Sequence, residues 1–138
     1  MKKIGIVGGG FSGTALLAML CKYAKQALEI IICDQTGRFG EGPAYRTPYS
    51  HHLLNVRAGD MSAFEDDATH FVRWLETQPD KLALLDDKTP LAIQFVPRCF
   101  YREYLQSLLQ APTQTIRFES AAIVDLIVQP NAVQMVAE

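Results

Sequence analysis

Lys3-Ile4-Gly5-Ile6-Val7-Gly8-Gly9-Gly10-Phe11-Ser12-Gly13 is the stretch on which the reading of the chain turns. Its first five residues form a short apolar run of strand length. Gly8, Gly10 and Gly13 then fit the spacing G-x-G-x-x-G. From Thr14 to Gln26, apolar residues recur at Ala15, Leu16, Met19, Leu20, Tyr23 and Ala24, with Lys22, Lys25 and Gln26 off that stripe; this predicts a helix. A second apolar run, Leu28 to Cys33, ends at Asp34, 21 residues beyond Gly13.

Strand, tight turn, helix, strand, acid is the order of the mononucleotide half of a Rossmann unit. Each part has a physical task. Gly8 allows a sharp exit from the strand. Gly10, lacking a Cβ, lets a pyrophosphate approach the backbone. Gly13 lets the helix pack closely on the strands. The helix mouth presents unpaired N–H groups and a positive dipole end. Ser12 has two readings, a helix cap and a hydroxyl donor to phosphate, and both use the same helix end. Asp34 stands where an acid accepts hydrogen bonds from ribose hydroxyls.

Composition sets the outer limits. The chain has 138 residues, 49% hydrophobic and 20% charged, with a net charge of −2. That is a globular balance with a core, and it gives no basic patch for nucleic acid or an anionic membrane. Cys21, Cys33 and Cys99 are odd in number and widely spaced, so reduced thiols in a cytoplasmic setting are expected rather than disulfides or a zinc site. Met1-Lys2-Lys3 followed by Ala15 to Cys21 has the faint outline of a secretory leader. The glycine cluster interrupts it and Leu20 is a large residue before the cysteine, so export is not expected. No apolar run approaches membrane-spanning length.

Beyond Asp34 the chain departs from a minimal Rossmann unit. Gln35 to about Gly59 is punctuated by Gly37, Gly40, Gly42, Pro43, Pro48 and Gly59 and reads as a long loop whose backbone would organise around a bound cofactor. Glu65-Asp66-Asp67 is read as the acidic start of a helix over Ala68 to Thr77, with Phe71, Trp74 and Leu75 as its stripe. A short helix is expected over Lys81 to Lys88 and an extended segment over Leu91 to Val96. Another helix opens at Pro97, carries Phe100, Tyr101, Tyr104, Leu105, Leu108 and Leu109 on one face, and stops at Ala111-Pro112. Thr115 to Phe118 reads as a third strand; Ala122 to Val128 and Ala132 to Val136 read as a hairpin.

Four stretches together carry a resemblance to a flavoprotein family. They are Ile6 to Gly13; Phe39-Gly40-Glu41-Gly42-Pro43-Ala44-Tyr45; His52-Leu53-Leu54-Asn55-Val56 with Met61-Ser62-Ala63-Phe64; and Pro97-Arg98 with Tyr101 and Tyr104-Leu105. The chain resembles FAD/NAD(P)-binding proteins allied to flavin-containing monooxygenases and amine N-hydroxylases. The resemblance implies an α/β, Rossmann-like three-layer domain over residues 1–138, with a parallel sheet core, a long helical insertion at about 35–112 and a C-terminal β-hairpin. It also implies that such a domain is the N-terminal, incomplete part of a longer enzyme. Gly8, Gly10, Phe11, Ser12 and Gly13 would hold the cofactor's phosphates. Asp34, with Gln35 beside it, would hold the ribose, and Asn55 is a weaker candidate for the flavin end. Arg98 is read as pairing with an acid rather than with phosphate. Glu41 and Tyr45 are read as stabilising the loop before lining a flavin.

FAD is the cofactor expected, with NAD(P)H as co-substrate of a full-length enzyme and an unidentified small molecule as substrate. Two departures keep alternatives open. Asp34 stands where FAD proteins of this type more often carry Glu, and an Asp suits NAD equally well. An NAD-binding dehydrogenase domain is therefore one alternative, and a non-catalytic nucleotide-binding or redox-sensing module is another. His51, His52 and His70 assemble no nucleophile–base set, so no catalytic residue is assigned. A flavin brings its own redox chemistry, which makes that absence compatible with an enzyme.

Overall fold

The computed structural model describes residues 1–110 and 113–138. Three parallel strands, β1 (Lys2–Val7), β2 (Leu28–Asp34) and β3 (Thr115–Ser120), form a sheet in the order β1-β2-β3. Their register sets Ile4 beside Ile30 and Ile116, and Ile6 beside Ile32 and Phe118. Side chains alternate across a strand, so these residues share one face. Helix α1 (Phe11–Tyr23) packs on that face, where Leu17 is buried with Ile6, Leu28, Ile30 and Ile32. Each such side chain removed from water contributes about 1.5–3 kcal/mol. This small cluster is what holds the helix mouth at the end of β1.

On the other face, a Cβ placed on Gly5 would lie 2.8 Å from the Met135 sulfur. Met135 belongs to the antiparallel hairpin of β4 (Ile123–Gln129) and β5 (Ala132–Ala137), which lies against this face with the end of the Met135 side chain over Gly5. Hairpin, sheet and α1 thus stack as layers in a mixed α/β fold.

The chain between β2 and β3 forms a further layer. It contains α2 (Gly42–Tyr45), a 3-10 turn at Ala58–Asp60, α3 (His70–Glu76), α4 (Pro79–Leu82), a second 3-10 turn at Leu91–Ile93, and α5 (Arg98–Ser107). Phe71, Leu75, Phe100, Tyr101, Tyr104 and Leu105 make its core, and Ala18 of α1 joins them. The Tyr104 hydroxyl is satisfied inside this core. It accepts the Ala63 N–H at 3.2 Å and lies 2.8 Å from His70 Nδ1. Lys81, almost wholly buried, is paired with Glu103 at 2.5 Å and lies beside the rings of Trp74 and Phe100.

Several expectations are corrected. The first helix begins at Phe11, not Thr14, and ends at Tyr23, not Gln26. Its buried positions are Thr14, Leu17 and Ala18, whereas Leu16 and Tyr23 are about half exposed. Two cores flank this helix, the sheet reaching Leu17 and the aromatic layer reaching Ala18, so the single apolar stripe misplaced the buried face.

The acids at 65–67 do not cap α3, which follows Thr69 without a side-chain cap. Asp66 instead pairs with Lys22 of α1 at 2.9 Å, and Asp67 takes both guanidinium nitrogens of Arg73 at 2.7 Å. Leu91 to Ile93 is a 3-10 turn rather than extended chain, and the helix expected from Lys81 is the shorter α4, opened by Pro79. The stop expected at Ala111-Pro112 lies outside the described residues. Among the described residues, no helix is long and apolar enough to cross a membrane, and no group of three His, Cys, Asp or Glu is placed to hold a metal ion.

Candidate functional site

The site is built around the turn from β1 into α1. Gly8 takes φ +99°, a conformation that side chains rarely adopt, and its N–H donates to the Cys33 carbonyl at 2.8 Å. Gly9 is turned inward. Its N–H donates to Asp34 Oδ2 at 2.9 Å, and its carbonyl accepts the Gly40 N–H at 2.7 Å. Gly13 faces the turn: a Cβ there would fall 1.9 Å from the Gly8 carbonyl oxygen. Gly10 occupies the N-cap of α1 and contributes no side-chain cap. Ser12 does not cap the helix either, so of its two readings only the ligand-facing one remains to be tested.

The first turn of α1 leaves backbone donors free. Among the described residues, no acceptor takes the N–H groups of Phe11, Ser12 and Gly13. They open onto a recess of about 260 Å³. Val7, Gly8, Gly10, Phe11, Ser12 and Gly13 form one side of it, and Glu41 to Tyr45 form the other. Bare amides at a helix mouth fit an anion, and a turn without side chains fits one as bulky as a diphosphate.

A second recess, of about 210 Å³, shares Val7 and Gly8 with the first. It runs past the end of β2, along Cys33, Asp34 and Gln35, to Ala121, Ala122 and Ile123. Asp34 is fixed at its entrance. Its Oδ1 accepts the Thr36 N–H at 2.8 Å and the Thr36 hydroxyl at 2.6 Å. Burial favours the protonated, neutral carboxyl, but hydrogen bonds from Thr36 and Gly9 and the charge of Arg46 outweigh that and hold its pKa below the usual carboxylate range. It is therefore a carboxylate at neutral pH.

The structure thus brings together Gly8, Gly10, Phe11, Ser12 and Gly13 on one recess, and Gly8, Asp34 and Gln35 on the adjoining one. Asn55 is exposed and lines neither. Cys33 is buried behind Asp34, and burial pushes its thiol up, as for a small core residue. His70 lies in the aromatic layer, and His51 and His52 stack beside Tyr49, away from both recesses.

Sequence reasoning places the loop from Gln35 near a cofactor but reads Glu41 and Tyr45 first as loop-stabilising residues; the structure sets Glu41 to Tyr45 along the first recess. The available signal was three glycines, Gly37, Gly40 and Gly42, all of which take positive φ. Gly42 packs against Gly10: a Cβ on Gly10 would meet the Gly42 Cα at 3.4 Å. Behind the wall, Tyr45 and Phe11 both lie on Tyr101, at 4.9 and 6.3 Å between ring centres.

Side chains of α5 brace the loop from behind. Arg98, Arg102 and Gln106 lie four residues apart on one face of α5 and donate to its carbonyls. Arg98 Nε reaches Leu53 O at 3.0 Å, Arg102 Nη1 reaches Arg46 O at 3.3 Å, and Gln106 Nε2 reaches Phe39 O at 3.4 Å. The expected pairing of Arg98 with an acid is corrected accordingly. Its partners are carbonyls, because loop backbone rather than a carboxylate faces this side of α5.

A family model described as FAD-NAD(P)-binding matches residues 5–137, nearly the whole chain. The chain belongs to the FAD-NAD(P)-binding family. Membership accords with the bare helix mouth and the paired recesses, and makes a flavin or nicotinamide dinucleotide the class of cofactor. No curated protein matches the chain.

Among solved structures, the chain is similar to the Diels-Alderase PyrE3 of the pyrroindomycin biosynthetic pathway, with a TM-score of 0.51 and 18% identity. That match covers 99% of this chain and 29% of PyrE3. It is also similar to the tetracycline destructase Tet(51), with a TM-score of 0.51 and 10% identity, covering 100% of this chain and 35% of that one. At these identities the likeness is one of fold. The chain spans about a third of the length of either structure.

Proposed function

We propose that this chain is the FAD-binding portion of a flavin-dependent oxidoreductase, in which residues 1–138 form the cofactor unit and residues 35–112 its cover. The observation that carries the proposal is the unpaired helix mouth at Phe11 to Gly13, which lines one of two adjoining recesses that share Val7 and Gly8. An extended dinucleotide has this sequence of parts: a sugar, a diphosphate and a second sugar. In this reading Gly10, Phe11, Ser12 and Gly13 hold the diphosphate, Asp34 and Gln35 hold the adenosine ribose, and the Glu41 to Tyr45 wall faces the flavin half.

The bound flavin would supply electron transfer between NAD(P)H and an acceptor such as oxygen, the chemistry of a monooxygenase. The chain's own part is to grip, orient and shield the cofactor. FAD is preferred to NAD because Phe39 to Tyr45, one of the stretches that carry the resemblance to flavoproteins, supplies Glu41 to Tyr45 as one wall of the first recess.

A second reading, an NAD-binding dehydrogenase domain, is favoured by one observation. Asp34 is ionised and stands at the end of β2, where a ribose 2′-hydroxyl of NAD would find it. The test is the colour of the protein. The first reading expects flavin absorbance in the visible that stays with the protein through gel filtration, or reappears on adding FAD, and FAD in the extract after heating. A colourless protein that ignores FAD and is thermally stabilised by NAD overturns the first reading in favour of the second. A ligand at a hundred times its dissociation constant adds about 2.7 kcal/mol, enough to read as a melting shift.

A further inference from the structure

Glu41 carries a carboxylate oxygen without a hydrogen-bond donor. Its Oε2 is buried and meets no hydrogen-bond partner among the described residues. The Arg38 guanidinium stands 4.0 Å away on a largely exposed side chain. Glu41 itself is held between two points of attachment to the glycine turn, Gly40 bonded to Gly9 and Gly42 packed on Gly10. It lines the first recess, across the turn from Asp34. A buried acceptor left without a donor is costly and calls for one, which a ligand in the adjoining recess can bring.

Phosphate brings no donor at neutral pH and would be repelled by a carboxylate. Sugar hydroxyls bring donors. We infer that Glu41 recognises a hydroxyl of the polyol beyond the diphosphate, the ribityl chain of FAD or the second ribose of a nicotinamide dinucleotide. This rests on the dinucleotide reading above, and makes the site selective for a diphosphate that continues into a sugar over one that ends there. Asp34 and Glu41 then act as a pair of acceptors on either side of the phosphates, one for each sugar. Their charges also disfavour a free polyphosphate, which would crowd the recesses with anion and return no hydrogen bond.

The experiment compares affinities of FAD, ADP-ribose and ADP for the wild-type protein, Glu41→Ala, Glu41→Gln and Arg38→Ala, by titration calorimetry. Glu41→Ala is expected to lower affinity for FAD and ADP-ribose by about tenfold or more, the scale of a lost charge-assisted hydrogen bond, while leaving ADP unchanged or bound more tightly. Glu41→Gln, which keeps an acceptor without the charge, is expected to fall in between. Arg38→Ala is expected to leave the ratio of FAD to ADP affinity as in the wild type.

Equal losses for all three ligands in Glu41→Ala overturn the inference, because they mean that the loop, not the hydroxyl contact, was disturbed. Unchanged FAD affinity in both Glu41 variants also overturns it and leaves the dinucleotide reading standing. A ratio that moves in Arg38→Ala as it does in Glu41→Ala assigns the effect to an Arg38–Glu41 pair and overturns it too. A wild-type protein that binds none of the three ligands removes the dinucleotide reading and this inference with it.

Discussion

At Gly13 an added methyl would sit 1.9 Å from a backbone carbonyl oxygen, whereas at Gly10 it would meet the Gly42 Cα at an ordinary 3.4 Å. The two glycines of one motif therefore have different duties. Gly13 is needed for the helix to close on the turn, and Gly10 keeps open the ground between two loops. Gly13→Ala is expected to cost about 1–3 kcal/mol of stability through backbone displacement, visible as a lower melting temperature without any ligand. Gly10→Val is expected to leave the ligand-free protein folded, by circular dichroism, while abolishing dinucleotide binding. A Gly10→Val protein with full affinity would move the phosphates elsewhere. Asp34 also has two duties, since the carboxylate offered to a ribose already fastens Gly9 and Thr36.

Between elements, α5 is the part that makes the long loop a wall. One of its faces carries Phe100, Tyr101, Tyr104 and Leu105 into the aromatic core, and the adjoining face carries Arg98, Arg102 and Gln106 to loop carbonyls. Arg102→Ala is expected to weaken dinucleotide binding several-fold and to speed limited proteolysis near Arg46 and Thr47, whose carbonyls lose their donor, with the melting temperature falling only slightly. One of these hydrogen bonds is exposed and the other part-buried, and each is worth about 0.5–1.5 kcal/mol. Proteolysis at the wild-type rate would show that the loop is held by other contacts.

The β1–turn–α1–β2 unit was legible in the sequence because each of its signals is local: an apolar run, glycines at fixed spacing, a terminal acid. The α5 apolar face was legible by its period. Arg98 and Glu41 were not, because what each touches depends on how the chain at 35–60 folds back over the turn, and no periodicity encodes that. The buried face of α1 was misplaced for a related reason. A helix with one core shows one stripe, and this one has two cores.

At the scale of the whole molecule, His70 in the aromatic layer couples folding to pH in the range where imidazoles titrate. Burial holds the His70 imidazole below its ordinary range; Asp67 pulls it upward, while Arg73 and Lys22 push it down with the burial. Near pH 6 the unfolded chain therefore binds more protons at this residue than the folded one. The contribution is present above the unfolded value of about 6.5 and is lost as pH falls from there towards the lower folded value. The melting temperature is expected to drop between about pH 7.5 and pH 5.5, and to drop less in His70→Asn, which can still meet the Tyr104 hydroxyl. Scanning fluorimetry across that range checks this; the same slope in both proteins would show that His70 is not the group responsible.

The central claim is that a diphosphate is held by the amides at the mouth of α1. Amide chemical shifts recorded in 1H–15N spectra during addition of FAD test it most directly. The account predicts that the largest movements fall on Gly10, Phe11, Ser12 and Gly13, followed by Asp34 and the Glu41 to Tyr45 wall. FAD that binds while those four amides stay where they were would contradict it.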